Sequence, residues 1–216
     1  MSATASPSFD QQPLGLFGGR FDPVHRAHAA MAQAAAEQLC LPEIRWIVSG
    51  RAVHKTTVAS AADRLAMTRL ALSDLGDARM VVDDREVVAG QKGEETPSYK
   101  TVQSFQSEFP GRPLIWILGE DQLLSFTRWQ QWRWLLAQIT IAVCRRPEPV
   151  QGDSQARELL MQAGAKIRTV AFPADTVSST EIRSRVAQGL PIALTVSPSV
   201  ARYIQSHQVY FSSQPI

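Results

Sequence analysis

Residues 14–28 read Leu14-Gly15-Leu16-Phe17-Gly18-Gly19-Arg20-Phe21-Asp22-Pro23-Val24-His25-Arg26-Ala27-His28, an apolar run that passes through two glycines into a pair of histidines. Leu14 to Phe17 predicts a strand, and the Ala-rich stretch up to Leu39 predicts a helix. Gly18 and Gly19 admit φ > 0 and let a ligand approach the main chain with no Cβ in the way. His25 and His28 are three residues apart, so a helical turn sets them on one side. The first free N–H groups of the helix suit an anion such as phosphate. By spacing alone, the same residues also describe an ordinary tight turn with two surface histidines.

Outward from this junction, short apolar runs alternate with amphipathic segments. Ile44 to Val48, Met80 to Val82, Leu114 to Leu118, Ile139 to Cys144 and Lys166 to Val170 predict further strands, several without alternation, as in strands buried on both faces. Helical patterns lie between them at His28–Leu39, Ala61–Leu75, Ser98–Glu108, Gln122–Leu136 and Ser154–Ala163. This order argues for an α/β fold with a doubly wound, Rossmann-like parallel sheet, whose ligands bind beyond the carboxyl ends of the strands. The last part, about 178–208, is mainly helical. Ser178 to Glu181 has capping-box spacing with Gly189 as the stop, and Ser197-Pro198 opens a final helix to about His207.

The 216 residues, 44% of them hydrophobic, suffice for one domain over 14–216 with a real core. Residues 1–13 are expected to be a disordered tail, with neither the basic start nor the apolar stretch of a secretory signal. No apolar run approaches the roughly 20 residues that span a bilayer. With 22 basic against 20 acidic residues, the net charge of +2 excludes a nucleic-acid role argued from charge. The two cysteines, Cys40 and Cys144, have no metal-ligand spacing and read as small buried hydrophobes.

Other segments carry possible chemistry. Leu118-Gly119-Glu120-Asp121 joins a glycine that permits close approach to a carboxylate that can accept hydrogen bonds; the alternative is Asp121 capping the next helix. Val177 to Arg183 sets hydroxyls and N–H groups at a helix start with an arginine one turn on, suited to phosphate and equally to capping by Ser178. His54-Lys55 and Arg145-Arg146-Pro147 place cations after strands, where they serve phosphates or are simply solvated. Pro97-Ser98-Tyr99-Lys100-Thr101 precedes a helix. Trp129 lies on a stripe with Trp132 and Leu136, a pattern that core packing also produces.

Together these segments resemble the HxGH nucleotidyltransferase superfamily, and specifically the bacterial nicotinate-mononucleotide adenylyltransferases, whose pattern GGxFDPxHxGH is matched by Gly18 to His28 except at Ala27, where the family has Gly. Leu118–Asp121 resembles the family's GxD motif, Val177–Arg183 its ISSTxIR element, and Arg145-Arg146-Pro147 a CRRP element of relatives. His54-Lys55 is similar to the end of its PPHK motif, with Ala52-Val53 in place of the prolines. Pro97-Ser98-Tyr99 resembles PSYT, with Lys100 where threonine is expected and Thr101 beside it; either the register slips by one, or the lysine meets the acceptor's carboxylate. Trp129 matches the family tryptophan near the pyridine ring, and Trp132 and Trp134 are assigned to structure.

The resemblance covers Leu14 to Tyr210. It implies an adenylyltransferase of NAD biosynthesis that joins ATP and nicotinate mononucleotide to give deamido-NAD and pyrophosphate. His28 and His25 would be catalytic. Gly18, Gly19, Phe21, Lys55, Gly119, Asp121, Ser179 and Arg183 would bind ATP, and Tyr99, Lys100, Thr101 and Trp129 the acceptor. Mg²⁺ would arrive on the ATP phosphates, with no metal-ligand set in the chain. The partners implied are these small molecules, without nucleic acid or membrane, in the cytoplasm; the oligomeric state is left open. The alternatives are a sister transferase of the pantetheine-phosphate adenylyltransferase or cytidylyltransferase type, and a non-catalytic nucleotide-binding regulator on the same scaffold.

Overall fold

The computed structural model describes residues 12–50, 58–145, 153–172 and 177–211. Most of the expected tail, His54-Lys55 and Arg146-Pro147 lie outside these residues. Six strands, β1 (Leu14–Gly19), β2 (Glu43–Val48), β3 (Met80–Asp83), β4 (Leu114–Gly119), β5 (Ile139–Arg145) and β6 (Lys166–Ala171), form one sheet in the order β3-β2-β1-β4-β5-β6. Every pairing is parallel, as the unalternating apolar runs predict.

The strand order reverses between β1 and β4, where a doubly wound sheet opens its ligand crevice. The register shows how. β1 pairs with β2 along its whole length, Gly19 lying opposite Val48, but with β4 only from Leu14 to Leu16. Beyond Leu16 the ladder between β1 and β4 stops, so the ends of these two strands border a gap.

Alternation along the strands divides the core between two faces. Phe17, Trp46, Ile117 and Ala142 pack with α1 (Arg26–Gln38), α2 (Ala61–Leu75), α8 (Ser179–Ala187) and α9 (Pro198–Ser206). Leu14, Leu16, Trp116, Leu118 and Ile141 pack with α4 (Ser98–Glu108), α5 (Glu120–Ser125), α6 (Trp132–Gln138) and α7 (Asp153–Gln162). The expected helical C-terminal part is thus α8 and α9, and both lie on the α1 side.

Two helical expectations need correction. The segment Gln122–Leu136 is not one helix: α5 passes into a 3-10 turn at Phe126–Arg128, and α6 starts only after Gln131, which takes the left-handed region at φ 55°. Phe126 and Trp129 stack with ring centroids 4.8 Å apart, and this aromatic packing overrides the local periodicity. A short helix, α3 (Arg85–Gln91), is also present where none is expected, because Val87, Val88 and Gly90 weaken its helical signal.

At the opposite, amino end of the sheet, the buried guanidinium of Arg112 donates to Glu43 Oε2 (3.1 Å) and to the Gln12 carbonyl (2.9 Å). Replacing it takes from the buried Glu43 one of its two cations and leaves Arg45 on the other oxygen. Arg112→Met is expected to lower stability by about 3 kcal/mol in urea unfolding.

Candidate active site

The turn after β1 is built for room and for one strained residue. Gly18 and Gly19 are both strand residues, and neither has positive φ; the turn residue that does is Phe21, at φ 49°. The expectation that the glycines supply φ > 0 is therefore corrected. A Cβ on Gly18 would come within 2.9 Å of Trp116 Cζ2, and one on Gly19 within 2.7 Å of the Phe21 ring. Phe21 is buried, packed on Trp46 at 5.2 Å and edge-on to Phe17 at 5.5 Å.

His25 is the N-cap of α1 in extended conformation, and His28 stands one turn on. Their rings stack with centroids 3.7 Å apart, and His28 meets the Phe21 ring edge-on at 5.1 Å. Burial, and secondarily the neighbouring His25, hold His28 well below the usual histidine range, so the ring is neutral. The main-chain N–H of His25 donates to His28 Nδ1 (3.2 Å). An accepting Nδ1 on a neutral ring puts the proton on Nε2, so His28 presents an N–H donor at its far side. The helix N-terminus is less open than its composition suggests: the Arg26 N–H donates to the Thr195 carbonyl (3.1 Å), and its guanidinium to the Leu194 carbonyl (2.7 Å).

Across the gap, at the end of β4, Asp121 is exposed in the first turn of α5. The N-cap there is Gly119, so Asp121 is not the cap; a Cβ on Gly119 would lie 2.8 Å from Asp121 Oδ1. Arg145 faces the buried Glu120 at 3.3 Å. From the third side comes α8. Ser178 caps it by accepting from the Glu181 N–H (3.2 Å). Ser179 Oγ donates to the Pro23 carbonyl (2.9 Å), and Arg183 Nη1 to the Asp22 carbonyl (2.7 Å). Ser179 and Arg183 thus reach the histidine turn, with their side chains bonded to its backbone.

The residues expected at the acceptor divide. Trp129 is half-buried, stacked on Phe126 and edge-on to Trp116 at 5.8 Å, so Gly18, Trp116 and Trp129 form one packed series leading from β1. Tyr99 is half-buried beside the same cluster. Lys100 is exposed, its Nζ 3.4 Å from the Glu95 carbonyl. Thr101 is buried and donates to Glu86 Oε1 (2.6 Å).

Four contributors lie outside the sequence expectation. Asp22, Arg64, Glu86 and Trp116 are all buried close to the strand ends. Arg64 had a legible signal, since Arg64, Thr68 and Leu72 share a buried helix face at four-residue spacing. Its guanidinium donates to the Arg20 carbonyl (2.8 Å) and the Gly50 carbonyl (2.9 Å). Glu86 had none: only the fold sets it against Thr101.

The cytidylyltransferase-like family model matches residues 16–185. The probable nicotinate-nucleotide adenylyltransferase of Neisseria meningitidis serogroup B is 39% identical over 206 residues, covering 91% of this chain and 98% of its own. That of Albidiferax ferrireducens is 38% identical over 200 residues, covering 91% and 97%. The chain belongs to the nicotinate-nucleotide adenylyltransferase family. In fold it is similar to the Plasmodium falciparum nicotinic acid mononucleotide adenylyltransferase complexed with NaAD, with a TM-score of 0.75 at 17% identity over 94% of this chain and all of that one.

Within this adenylyltransferase fold, Glu86 carries a pH signature. Desolvation, eased by the Thr101 hydrogen bond, pushes its carboxyl up to about 7 from an ordinary 4.5. The folded state therefore favours the proton, and stability present below about pH 4.5 is lost as the pH rises to about 7. Glu86→Gln keeps the acceptor for Thr101 and is expected to remove that slope in thermal unfolding measured across the same pH range.

Proposed function

We propose that the chain transfers the adenylyl group of ATP to nicotinate mononucleotide, forming deamido-NAD and pyrophosphate for NAD biosynthesis. A phosphate oxygen of the mononucleotide attacks the α-phosphorus of ATP in line. The bond from that phosphorus to the β-phosphate bridging oxygen breaks, and pyrophosphate leaves with the electron pair. No residue of the chain becomes covalently attached, so catalysis consists of positioning and charge stabilisation.

The observation that carries this reading is the stacked histidine pair, with His28 neutral, at the carboxyl end of β1, beside the point where β1 and β4 part. Its Nε2–H makes His28 a donor to the α-phosphate as that group becomes five-coordinate, and His25 is its partner on the phosphates. Gly18, Gly19 and Phe21 shape the nucleotide side, and Gly119 and Asp121 face it across the gap, where the exposed carboxylate suits ribose hydroxyls. Ser179, Arg183 and Lys55 are assigned to the departing pyrophosphate. Tyr99, Lys100, Thr101 and Trp129 are assigned to the nicotinate end. Since Thr101 is buried and its hydroxyl donates to Glu86, its part there is to position the start of α4, and direct contact falls to Tyr99, Lys100 and Trp129.

Among the described residues no three His, Cys, Asp or Glu side chains converge as a metal site, and the Asp22 carboxylate of the histidine turn is bonded to N–H and O–H donors. Such surroundings fit a Mg²⁺ that keeps phosphate and water ligands and neutralises phosphate charge when bound. No helix among the described residues is long and apolar enough to cross a membrane, and we place the enzyme in the cytoplasm.

Pyrophosphate release with ATP and Mg²⁺ tests the reading. Nicotinate mononucleotide is expected to be used in preference to nicotinamide mononucleotide and phosphopantetheine; equal use of the two pyridine acceptors refutes the acid-specific assignment. Lys100→Thr is expected to change the ratio between those two acceptors. His28→Ala is expected to lower kcat by about 10²-fold or more with unchanged circular dichroism, as for the loss of one preorganised donor.

A further inference from the structure

Four consecutive residues of the histidine turn, Arg20 to Pro23, are each tied to the rest of the molecule. Arg64 of α2 binds the Arg20 carbonyl, Arg183 and Ser179 of α8 bind the Asp22 and Pro23 carbonyls, and the Phe21 ring is locked in the core. The Asp22 side chain adds a further tie. Its Oδ2 accepts the Val58 N–H (2.9 Å), and its Oδ1 accepts both the Ala59 N–H (3.1 Å) and the Tyr210 hydroxyl (2.7 Å), across 188 positions of chain.

Tyr210 follows α9 and has no part in the reading of the active site. It is nonetheless buried, at φ 68°, in the same cluster as Phe17 and Phe21. A left-handed tyrosine is strained and persists only where its surroundings hold it. Burial and the adjoining Asp22 carboxylate push its hydroxyl far above the usual tyrosine range, so it stays a donor. Asp22 is 2% exposed, and an oxygen deprived of a donor there has no water to replace it.

We propose that Tyr210 is a positioning residue for adenylyl transfer, its hydroxyl holding Asp22 and thereby the Phe21 ring against which His28 rests. The route is short: Tyr210 to Asp22 by a hydrogen bond, Asp22 to Phe21 by the chain, and Phe21 to His28 by an edge-on ring contact. Loss of the hydroxyl lets the strained turn relax and tilts the His28 donor. The kinetic part rests on the functional reading above; the positioning part does not.

Tyr210→Phe removes one oxygen and keeps the ring. Two measurements on the full chain test it: ring ¹⁵N spectra of the histidines without nucleotide, and steady-state pyrophosphate release. We expect the His28 ring resonances to shift and its titration to move toward the ordinary histidine range. Alongside this, kcat should fall about tenfold with KM for both substrates changed by less than about twofold, as for a misplaced donor. Unmoved His28 resonances, or a lower Tm with unchanged kcat, overturn the proposal. In the Asp22→Ala background, which has no side-chain acceptor, Tyr210→Phe should have no further effect on the His28 resonances; additive shifts also overturn it. If the wild type releases no pyrophosphate, the functional reading fails, and the resonances alone decide the role of Tyr210.

Discussion

The buried Asp22 carboxylate is the constraint on which the site depends. It sits between β1 and the histidines and gathers the segment that leads into α2, through Val58 and Ala59, and Tyr210 beyond α9 onto one turn. A carboxylate withdrawn from water is costly unless donors surround it, so each of these elements must arrive for the turn to close. Arg64, Arg183 and Ser179 bind three backbone carbonyls of the same turn. At about 1 kcal/mol net for each hydrogen bond, these three ties together are of the size of the roughly 1–3 kcal/mol that a left-handed Phe21 costs.

What this rigidity delivers is a specific protonation and tautomeric state. A protonated His28 would attract phosphate more strongly at long range, but burial and the stacked His25 oppose the charge. A neutral ring with Nδ1 accepting from its own helix start offers a single N–H in a set direction. Such a donor needs no reorganisation as charge develops on a transferring phosphate, which is where electrostatic catalysis gains most. Longer-range positive charge is left to arginines around the strand ends. Of these, Arg64 is so deeply buried that its role is to hold the loops after β1 and β2 rather than to meet a ligand.

Much of the architecture was legible because strand and helix periods are local properties. All six strands and the Ala61–Leu75 and Ser98–Glu108 helices follow from apolar runs, and the place of the candidate site follows from a glycine pair that ends a strand and leads into two histidines. Where tertiary packing competes with the local period, the reading failed: Phe126 stacked on Trp129 breaks the helix expected over Gln122–Leu136. The glycines matter here for the space they leave rather than for a left-handed backbone. Their missing Cβ atoms make room for Trp116 and for the Phe21 ring, and the left-handed backbone falls on Phe21 itself.

By itself, then, the chain determined which residues lie near the carboxyl ends of β1 and β4, since parallel βαβ order and the histidine spacing allow little else. Only the tertiary structure decided what those residues are bonded to. Thr101 turns to a buried Glu86 and leaves Lys100 outside, Ser179 and Arg183 grip the turn's backbone, and Tyr210 reaches Asp22 from the far end of the chain. Those partners are set by burial and long-range contact, because a polar group taken out of water must find its donor or acceptor wherever the fold supplies one, and sequence separation carries no trace of that choice.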